Sequence, residues 1–373
     1  MFTKTVRGVE FYALRGGIFV IFWTIMPLVS MQYKMAAGRD LSAEEAANAA
    51  RLLALPGVPE GEKVGFLMAL AQKGESAGEV AAFASVFRTL AANPGVEAWA
   101  SQAIDIVGTG GDHAGGFNVS SMVVLLLACA GVPVMKHGNR AVTSKCGSAD
   151  LLAALGVDLR ASPDKQRRAL TELGYVFFFA PNYHPAFQHI APARKALAAR
   201  GQRTIFNILG PLINPGRPAY VMMGAYNKPL ASILAASMDA LGAQAGLAGY
   251  GEIGPDRGVD ELTTATRNHV RGFGRLADLD AVWRAEDFGL APAPFSDLVG
   301  GDLPVNLAIV QALLNGRGPR GLVDTIVLNA AIGLWIVGKT GSVADGMPAA
   351  REYLLGGAVE AKLAATREFF RAS

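Results

Sequence analysis

Residues 104–140 read IDIVGTGGDHAGGFNVSSMVVLLLACAGVPVMKHGNR, and this stretch decides the fold. A β-rich run at 104–107 leads into a glycine turn, and a serine-started apolar run at 122–130 predicts a helix. A second β-rich run at 132–135 then leads into the charged sequence 136–140. Strand, glycine turn, helix and strand in this order predict an α/β domain with a central, largely parallel sheet flanked by helices. Ligands of such sheets bind at the carboxyl ends of the strands, where both polar turns are expected.

The two polar turns carry residue types that suit an anionic, phosphate-bearing ligand. Glycine lets the backbone approach the ligand, Asn and Ser donate hydrogen bonds, and Lys and Arg supply charge. The glycines at 108, 110 and 111 match neither the dinucleotide-binding pattern GxGxxG nor the P-loop ending GK[ST]. Taken alone, a glycine turn after a strand is more often only a turn, and Ser120 or Ser121 would also serve as an ordinary helix N-cap.

Composition bounds the class of protein. The chain has 373 residues, 51% hydrophobic and 17% charged, so it is globular and consists of two domains or one large α/β unit. Its net charge is only +3 and it has no long basic run, so we expect no nucleic-acid partner. Two cysteines, Cys129 and Cys146, are too few for a disulfide framework and form no zinc motif. A reducing compartment, the cytoplasm, fits best.

A small all-helical domain is predicted at residues 36–98. Ser42 followed by Glu45 forms a capping box, a second helix is expected at about 60–73, and a third begins after Ser76. The α/β domain is predicted at 99–373, and a later helical segment near 185–202 is expected to join the helical domain. Four C-terminal segments have a helical pattern and are expected to cover the sheet: 305–314, 325–337, 342–355 and 358–370.

Residues 1–35 form an N-terminal extension of open status. The apolar stretch 16–31 follows Lys4, Arg7 and Arg15, as in a signal peptide or a short membrane anchor. It is shorter than the roughly 20 residues that span a bilayer, and Pro27 interrupts it. We therefore favour an appendage, or upstream sequence ahead of a start at a later methionine (Met26, Met31 or Met35), and expect no membrane partner.

Five motifs together resemble the anthranilate phosphoribosyltransferase family. They are GTGGD (108–112), NVSS (118–121), KHGNRAVTSKCGSADLLAALG (136–156), RTIFNILGPLINP (203–215) and GVDELT (258–263), in the order and approximate spacing of that family. The resemblance covers about residues 36–373. It implies transfer of the 5-phosphoribosyl group from 5-phosphoribosyl diphosphate (PRPP) to the amino group of anthranilate, with release of diphosphate, in tryptophan biosynthesis. It also implies a homodimer that forms through the helical domain.

The resemblance assigns a PRPP site and a metal site. The implied PRPP-binding residues are Gly108, Thr109, Gly110, Gly111, Asp112, Asn118, Ser120, Ser121, Lys136, Ser144 and Ser148. Asp260, Glu261 and Ser120 are the implied ligands of Mg²⁺, with two ions per active site. Carboxylate oxygens suit Mg²⁺, although an Asp-Glu pair by itself is more often surface charge.

The resemblance also assigns an anthranilate site. The implied residues are Gly108, His137, Gly138, Asn139 and Arg194, with Phe187 and Pro192 as candidates for the channel wall. Core packing is a nearly equal alternative for Phe187. A guanidinium is the natural partner of a benzoate carboxylate. The segment 196–201 is about three residues longer than the family pattern, so Arg200 is an alternative to Arg194.

No general acid or base is predicted. The attacking aryl amine is neutral at pH 7, so Lys136, His137 and Arg194 are expected to act by positioning the substrates. Two other functions are alternatives. A pyrimidine nucleoside phosphorylase would have a different phosphate motif and no KHGNR, and a non-catalytic nucleic-acid-binding relative would lose parts of the PRPP motif and gain basic surface. The intact motifs and the small net charge favour the transferase.

Overall fold

A computed structural model of the chain describes residues 3–6, 9–12, 27–140, 145–255 and 257–372. Ser144 and residues 16–26 of the apolar N-terminal stretch lie outside the described residues. Strands β1 (Thr3–Val6) and β2 (Val9–Tyr12) pair antiparallel in a two-stranded sheet. In the described part of the chain, no helix has the length and apolar character needed to cross a membrane.

The chain divides into two compact units. The first contains the described residues up to Val86 and the segment Ala186–Ile205, and the second contains Phe87–Pro185 and the residues from Phe206 onward. The α-helices of the first unit are Leu28–Ala36, Ala43–Ala54, Glu60–Lys73, most of Ala77–Thr89, and Ala191–Ala198. A 3-10 helix, Pro185–His189, leads into the last of these.

Local signals in the sequence start the helices of the first unit. The predicted capping box is present: the Ser42 hydroxyl accepts from the Glu45 N–H at 3.2 Å, and the Ser42 N–H donates to Glu45 Oε2 at 2.7 Å. Helix Leu28–Ala36 begins in the segment assigned to the extension and ends at the first residue of the predicted helical domain, and its Leu28, Met31 and Met35 are buried. Apolar burial of this kind, at helical spacing, holds a short helix in place.

The second unit is built on a sheet whose order is β10-β9-β7-β6-β3-β4-β5, with β8 paired to β7. The strands are β3 (Ile104–Gly108), β4 (Val134–Gly138), β5 (Tyr175–Phe179), β6 (Tyr220–Gly224), β7 (Ala245–Gly254), β8 (Arg257–Val259), β9 (Arg267–Gly274) and β10 (Asp280–Trp283). Neighbours from β7 through β5 are parallel, and β8, β9 and β10 pair antiparallel.

Helices enclose this sheet and form the core with it. The α-helices are Glu97–Ala100, Val119–Cys129, Ser148–Ala154, Pro163–Glu172, Ala180–Tyr183, Lys228–Ala240, Leu303–Leu314, Arg320–Ile336, Val343–Leu355 and Ala358–Arg371. Short 3-10 helices lie at Ile205–Asn207, Gly210–Leu212, Ala285–Phe288 and Phe295–Leu298. Helices Val119–Cys129 and Arg320–Ile336 are apolar nearly all round because both are buried in the centre. The predicted fold class, a helical unit plus an α/β unit with a largely parallel sheet, is confirmed.

One strand boundary differs from the sequence prediction. The pattern placed a strand at 132–135 that ended before Lys136, but β4 runs from Val134 to Gly138. Strand β4 lies between β3 and β5, and Lys136 and His137 pair with Phe177 and Phe178. Pairing with the aromatic strand extends β4 through two polar residues. Lys136 and His137 are therefore buried strand residues, 2% and 3% exposed, rather than part of a solvated turn.

Candidate active site

Lys136 lies at the carboxyl end of the parallel strands. Its Nζ donates to the Ile106 carbonyl of the adjacent strand at 2.6 Å and to Ser120 Oγ at 3.1 Å. Burial lowers the pKa of Lys136, while the carboxylates of Asp105, Glu261 and Asp260 act in the opposite direction. The sheet thus holds an ammonium group at the first turn of helix Val119–Cys129, where the helix dipole also favours anions.

Asp260 contacts the glycine turn, and its neighbour Glu261 contacts the same helix terminus. Asp260 Oδ2 accepts from the Gly110 N–H at 2.6 Å, and the Asp260 N–H donates to Asp112 Oδ2 at 3.4 Å. The backbone N–H of Ser120 donates to the Glu261 carboxylate. Burial, followed by the charge of Asp112, raises the pKa of Asp260 to about 7. Burial, followed by the charge of Asp260, raises the pKa of Glu261 to about 8. These acids repel one another, so a bound cation would be favoured here.

Three glycines allow the acidic segment to approach the sheet. Gly108, Gly224 and Gly249 are paired neighbours on β3, β6 and β7. A Cβ on Gly108 would lie 2.3 Å from Asp260 Oδ2, and a Cβ on Gly249 would lie 2.3 Å from Leu262 Cδ2. Real side chains would therefore push the segment away from the strand ends. Neither Gly224 nor Gly249 belongs to the motifs that indicated the site from sequence.

The glycine turn and its neighbours supply further polar groups. Gly110 and Gly111 have φ values of 66° and 73°, which are left-handed conformations that glycine adopts readily. The Thr109 and Ser121 hydroxyls are buried and make no hydrogen bond to any residue that the structure describes. Buried hydroxyls of this kind fit a ligand that supplies its own acceptors.

His137 forms a buried pair with His184, a residue that sequence analysis missed. His137 Nδ1 lies 3.2 Å from the Gly210 carbonyl oxygen, and the two Nε2 atoms are 3.2 Å apart. A carbonyl oxygen only accepts, so Nδ1 of His137 carries the proton and its Nε2 accepts from His184. Burial lowers the pKa of His137 to about 3 and that of His184 to about 4. Both rings are therefore neutral at pH 7.

Asp105 is a second residue that sequence analysis missed. It is fully buried, and its Oδ2 accepts from Asn214 Nδ2 at 2.8 Å while its Oδ1 accepts from the His137 N–H at 3.3 Å. Burial raises the pKa of Asp105 to about 6, and the charge of Lys136 opposes that rise. The signal for Asp105 was a charged residue inside an otherwise apolar strand.

The second polar turn is close-packed where it is described. A Cβ on Gly138 would lie 2.6 Å from Ser148 Oγ, so Ser148 lies directly against the end of β4. Asn139 Oδ1 accepts from the Arg140 N–H at 2.8 Å.

Asn118 does not cap its helix with its side chain, because that amide bonds to the Cys146 carbonyl and to Asn306.

The two candidate arginines lie in the first unit. Arg194, on helix Ala191–Ala198, is half-buried, and its Cζ lies 5.9 Å from the centre of the Phe187 ring. Burial lowers the pKa of Arg194. Arg200 lies beyond the helix end and is exposed, as is Pro192, whereas Phe187 is half-buried.

Known proteins share both parts of this architecture. Residues 100–360 match the glycosyl transferase family a/b domain, and residues 32–91 match the glycosyl transferase family helical bundle domain. The chain is 42% identical over 325 residues to the anthranilate phosphoribosyltransferase of Thermus thermophilus, which covers 87% of this chain and 94% of that protein. It is also 42% identical over 291 residues to that of Deinococcus radiodurans, covering 78% and 83%.

The chain belongs to the anthranilate phosphoribosyltransferase family. A crystal structure of the Thermus thermophilus member superposes with a TM-score of 0.83 at 38% identity, covering 93% of this chain and 100% of that one. The Saccharomyces cerevisiae member, solved in complex with PRPP and Mg, shares the fold at 23% identity with a TM-score of 0.79, covering 93% and 98%. These matches confirm the family, the fold class and the enzyme class that the sequence motifs indicated.

Proposed function

We propose that this chain transfers the 5-phosphoribosyl group from PRPP to the amino group of anthranilate and releases diphosphate, a step of tryptophan biosynthesis. One observation carries the proposal beyond family membership. The buried ammonium of Lys136 and the carboxylate of Glu261 both bond to Ser120, at the first turn of helix Val119–Cys129. A fixed cation beside a carboxylate pair at a helix N-terminus suits a ligand that carries several phosphates.

The PRPP side of the site consists of residues from the second unit. Lys136 neutralises charge on the diphosphate, and the left-handed glycine turn at 110–111 lets the backbone approach the sugar phosphate. The Thr109 and Ser121 hydroxyls, buried without a hydrogen bond among the described residues, complete the wall. These groups bind and orient PRPP, and they neutralise the charge that develops on the departing diphosphate.

The residues present fit Mg²⁺. Asp260, Glu261 and Ser120 would hold it, and we propose two ions per active site. In the parts of the chain that the structure describes, no three His, Cys, Asp or Glu side chains can hold a metal ion by themselves. Mg²⁺ commonly takes its remaining ligands from substrate phosphates and water. When bound, it would neutralise charge on the diphosphate and so make it a better leaving group.

The anthranilate side requires positioning rather than proton transfer. We assign Gly108, His137, Gly138 and Asn139 to anthranilate, with Arg194 as partner of its carboxylate. Nε2 of the neutral His137 already accepts from His184, so the ring is held in one orientation. A neutral aryl amine needs no strong base, and a rigid, uncharged wall is sufficient to align it for attack.

We further propose a cytoplasmic homodimer. Helix Leu28–Ala36 of the first unit exposes Val29 by 41% and Tyr33 by 75%, which provides apolar surface for a second copy. The two cysteines, Cys129 and Cys146, form no disulfide, as is usual for a reducing compartment.

Anthranilate fluorescence tests the proposed reaction. With purified, folded protein, the fluorescence of anthranilate should fall when PRPP and Mg²⁺ are both added, and should stay constant when either is omitted. Parallel assays with uridine or thymidine plus phosphate, and with duplex DNA, address the phosphorylase and nucleic-acid-binding alternatives. Unchanged fluorescence with folded protein would refute the proposed transfer.

A further inference from the structure

Asn306 is a buried polar residue outside the motifs of the PRPP site. It lies on helix Leu303–Leu314 and is 1% exposed. Its Oδ1 accepts from the Gly301 N–H at 2.8 Å, and its Nδ2 donates to Asn118 Oδ1 at 3.1 Å. Asn118 Nδ2 in turn donates to the Cys146 carbonyl at 3.2 Å. Two side-chain amides therefore form a continuous hydrogen-bond chain between two backbone groups.

The ends of this chain fix its direction. The Gly301 N–H can only donate, and the Cys146 carbonyl can only accept. Both amides must therefore point the same way, since flipping either would place two donors or two acceptors against each other. Asn118 Nδ2 keeps a second N–H that no hydrogen bond within the described residues uses. This series of hydrogen bonds consequently sets the direction in which Asn118 points that N–H.

The backbone around Asn118 is attached to the same C-terminal segment. Gly116 forms an antiparallel bridge with Val299, the Phe117 N–H donates to the Leu298 carbonyl at 2.8 Å, and the Gly300 N–H donates to the Gly115 carbonyl at 2.9 Å. A Cβ on Gly300 would lie 2.9 Å from Phe117 Cα. Residues 115–117, between the glycine turn and the helix, are therefore paired with 298–300, and the Asn306 side chain bonds to Asn118, the next residue.

We propose that Asn306 is a positioning residue for PRPP binding, acting through Asn118. Its amide holds Asn118 in one orientation by bridging the Gly301 N–H and the Asn118 side-chain oxygen. The inference rests on the proposed function, because Asn118 is assigned to PRPP. Removal of the Asn306 amide should weaken PRPP binding while leaving the anthranilate side unaffected.

A double-mutant cycle separates positioning from simple stabilisation. We expect Asn306→Ala to raise the KM for PRPP about tenfold, as for one lost buried hydrogen-bond partner, with the KM for anthranilate within about twofold. In the Asn118→Ala background the same substitution should change the KM for PRPP by less than about twofold. Asn315→Ala, an exposed position beyond the same helix, is the matched control and should match the parent enzyme.

A second variant and a measurement of amide exchange test the inference independently of Asn306→Ala. Asn306→Asp retains an acceptor for the Gly301 N–H and loses the donor to Asn118, so it replaces Asn306→Ala if that variant does not fold. Amide hydrogen exchange of residues 115–118 should be faster in either variant, a readout that needs no turnover. Provided that the parent is active, any of three results would overturn the inference. They are an unchanged KM for PRPP in Asn306→Ala, equal effects of the substitution in both backgrounds, and unchanged amide exchange of residues 115–118. An inactive but folded parent would instead refute the proposed function.

Discussion

The backbone carbonyl oxygen of Asp260 lies 1.6 Å from the position that a Cβ atom on Gly224 would occupy. No pair of non-bonded heavy atoms tolerates that distance, so the end of β6 accepts only glycine while Asp260 keeps its place. A backbone atom, unlike the end of a flexible side chain, cannot move without moving the acidic segment. The position of the carboxylates therefore depends on a residue that carries no functional group.

Gly224→Ala should displace Asp260 and Glu261 from the helix terminus. We expect a loss of stability of about 1–3 kcal/mol, as for overpacking of a close-packed site, and a fall in kcat of at least tenfold. Thermal unfolding and steady-state kinetics measure the two effects. Gly254→Ala, where a Cβ would meet nothing within 4 Å, is the control and should behave as the parent. Full activity of Gly224→Ala would show that the acidic segment can move without consequence.

Asp260→Asn combined with Glu261→Gln should abolish turnover at ordinary Mg²⁺ concentrations. The substitutions remove the anionic oxygens while preserving shape, and metal-ion charge stabilisation amounts to several kcal/mol. At about 1.4 kcal/mol per factor of ten, the rate should fall more than about 100-fold. Because the acids repel one another when no cation is bound, the variant should be at least as stable as the parent. Near-normal activity would exclude the metal role.

Arg194→Ala should raise the KM for anthranilate with a smaller effect on that for PRPP. A hydrogen-bonded charge contributes about 1.5–3 kcal/mol, which corresponds to roughly 10- to 150-fold. The half-buried Arg194 guanidinium lies against Phe187, so it loses less freedom on binding than the exposed Arg200. Arg200→Ala should therefore leave both constants near the parent values. The reverse pattern would transfer the role to Arg200.

The histidine pair should make folding sensitive to acid. Below about pH 6.5 the unfolded chain binds protons at both imidazoles, whereas in the folded chain the pKa of His184 is about 4 and that of His137 about 3. The contribution of the pair to the free energy of unfolding is thus fully present above pH 6.5. It is lost as the pH falls toward 4, by about 1.4 kcal/mol per pH unit for each histidine. His184→Gln keeps a donor at the Nε2 position but does not titrate. Denaturant unfolding between pH 7 and 4.5 should show a shallower pH dependence for this variant, and equal slopes would contradict the assignment.

Signals that lie within a few residues of one another were predictable from sequence. The Ser42–Glu45 capping box and the glycine turn after β3 are each specified locally, and the structure contains both. The length of β4 was not, because its extension to Gly138 depends on pairing with β5, which lies in a later and separate part of the chain. A polar sequence such as 136–138 is typical of a turn until a neighbouring strand supplies hydrogen-bond partners.

The sequence by itself determined the family, the α/β order of strands and helices, and the residue types of the phosphate site, since those follow from motifs and from the periodic pattern of apolar residues. Only the tertiary structure decided which distant residues meet. Asp105 beside His137, His184 against His137, Gly224 under Asp260 and Asn306 on Asn118 are all contacts between segments far apart in the chain. Each depends on burial, on close backbone approach or on the direction of a hydrogen bond. These properties arise only when strands and helices pack, so no local pattern records them.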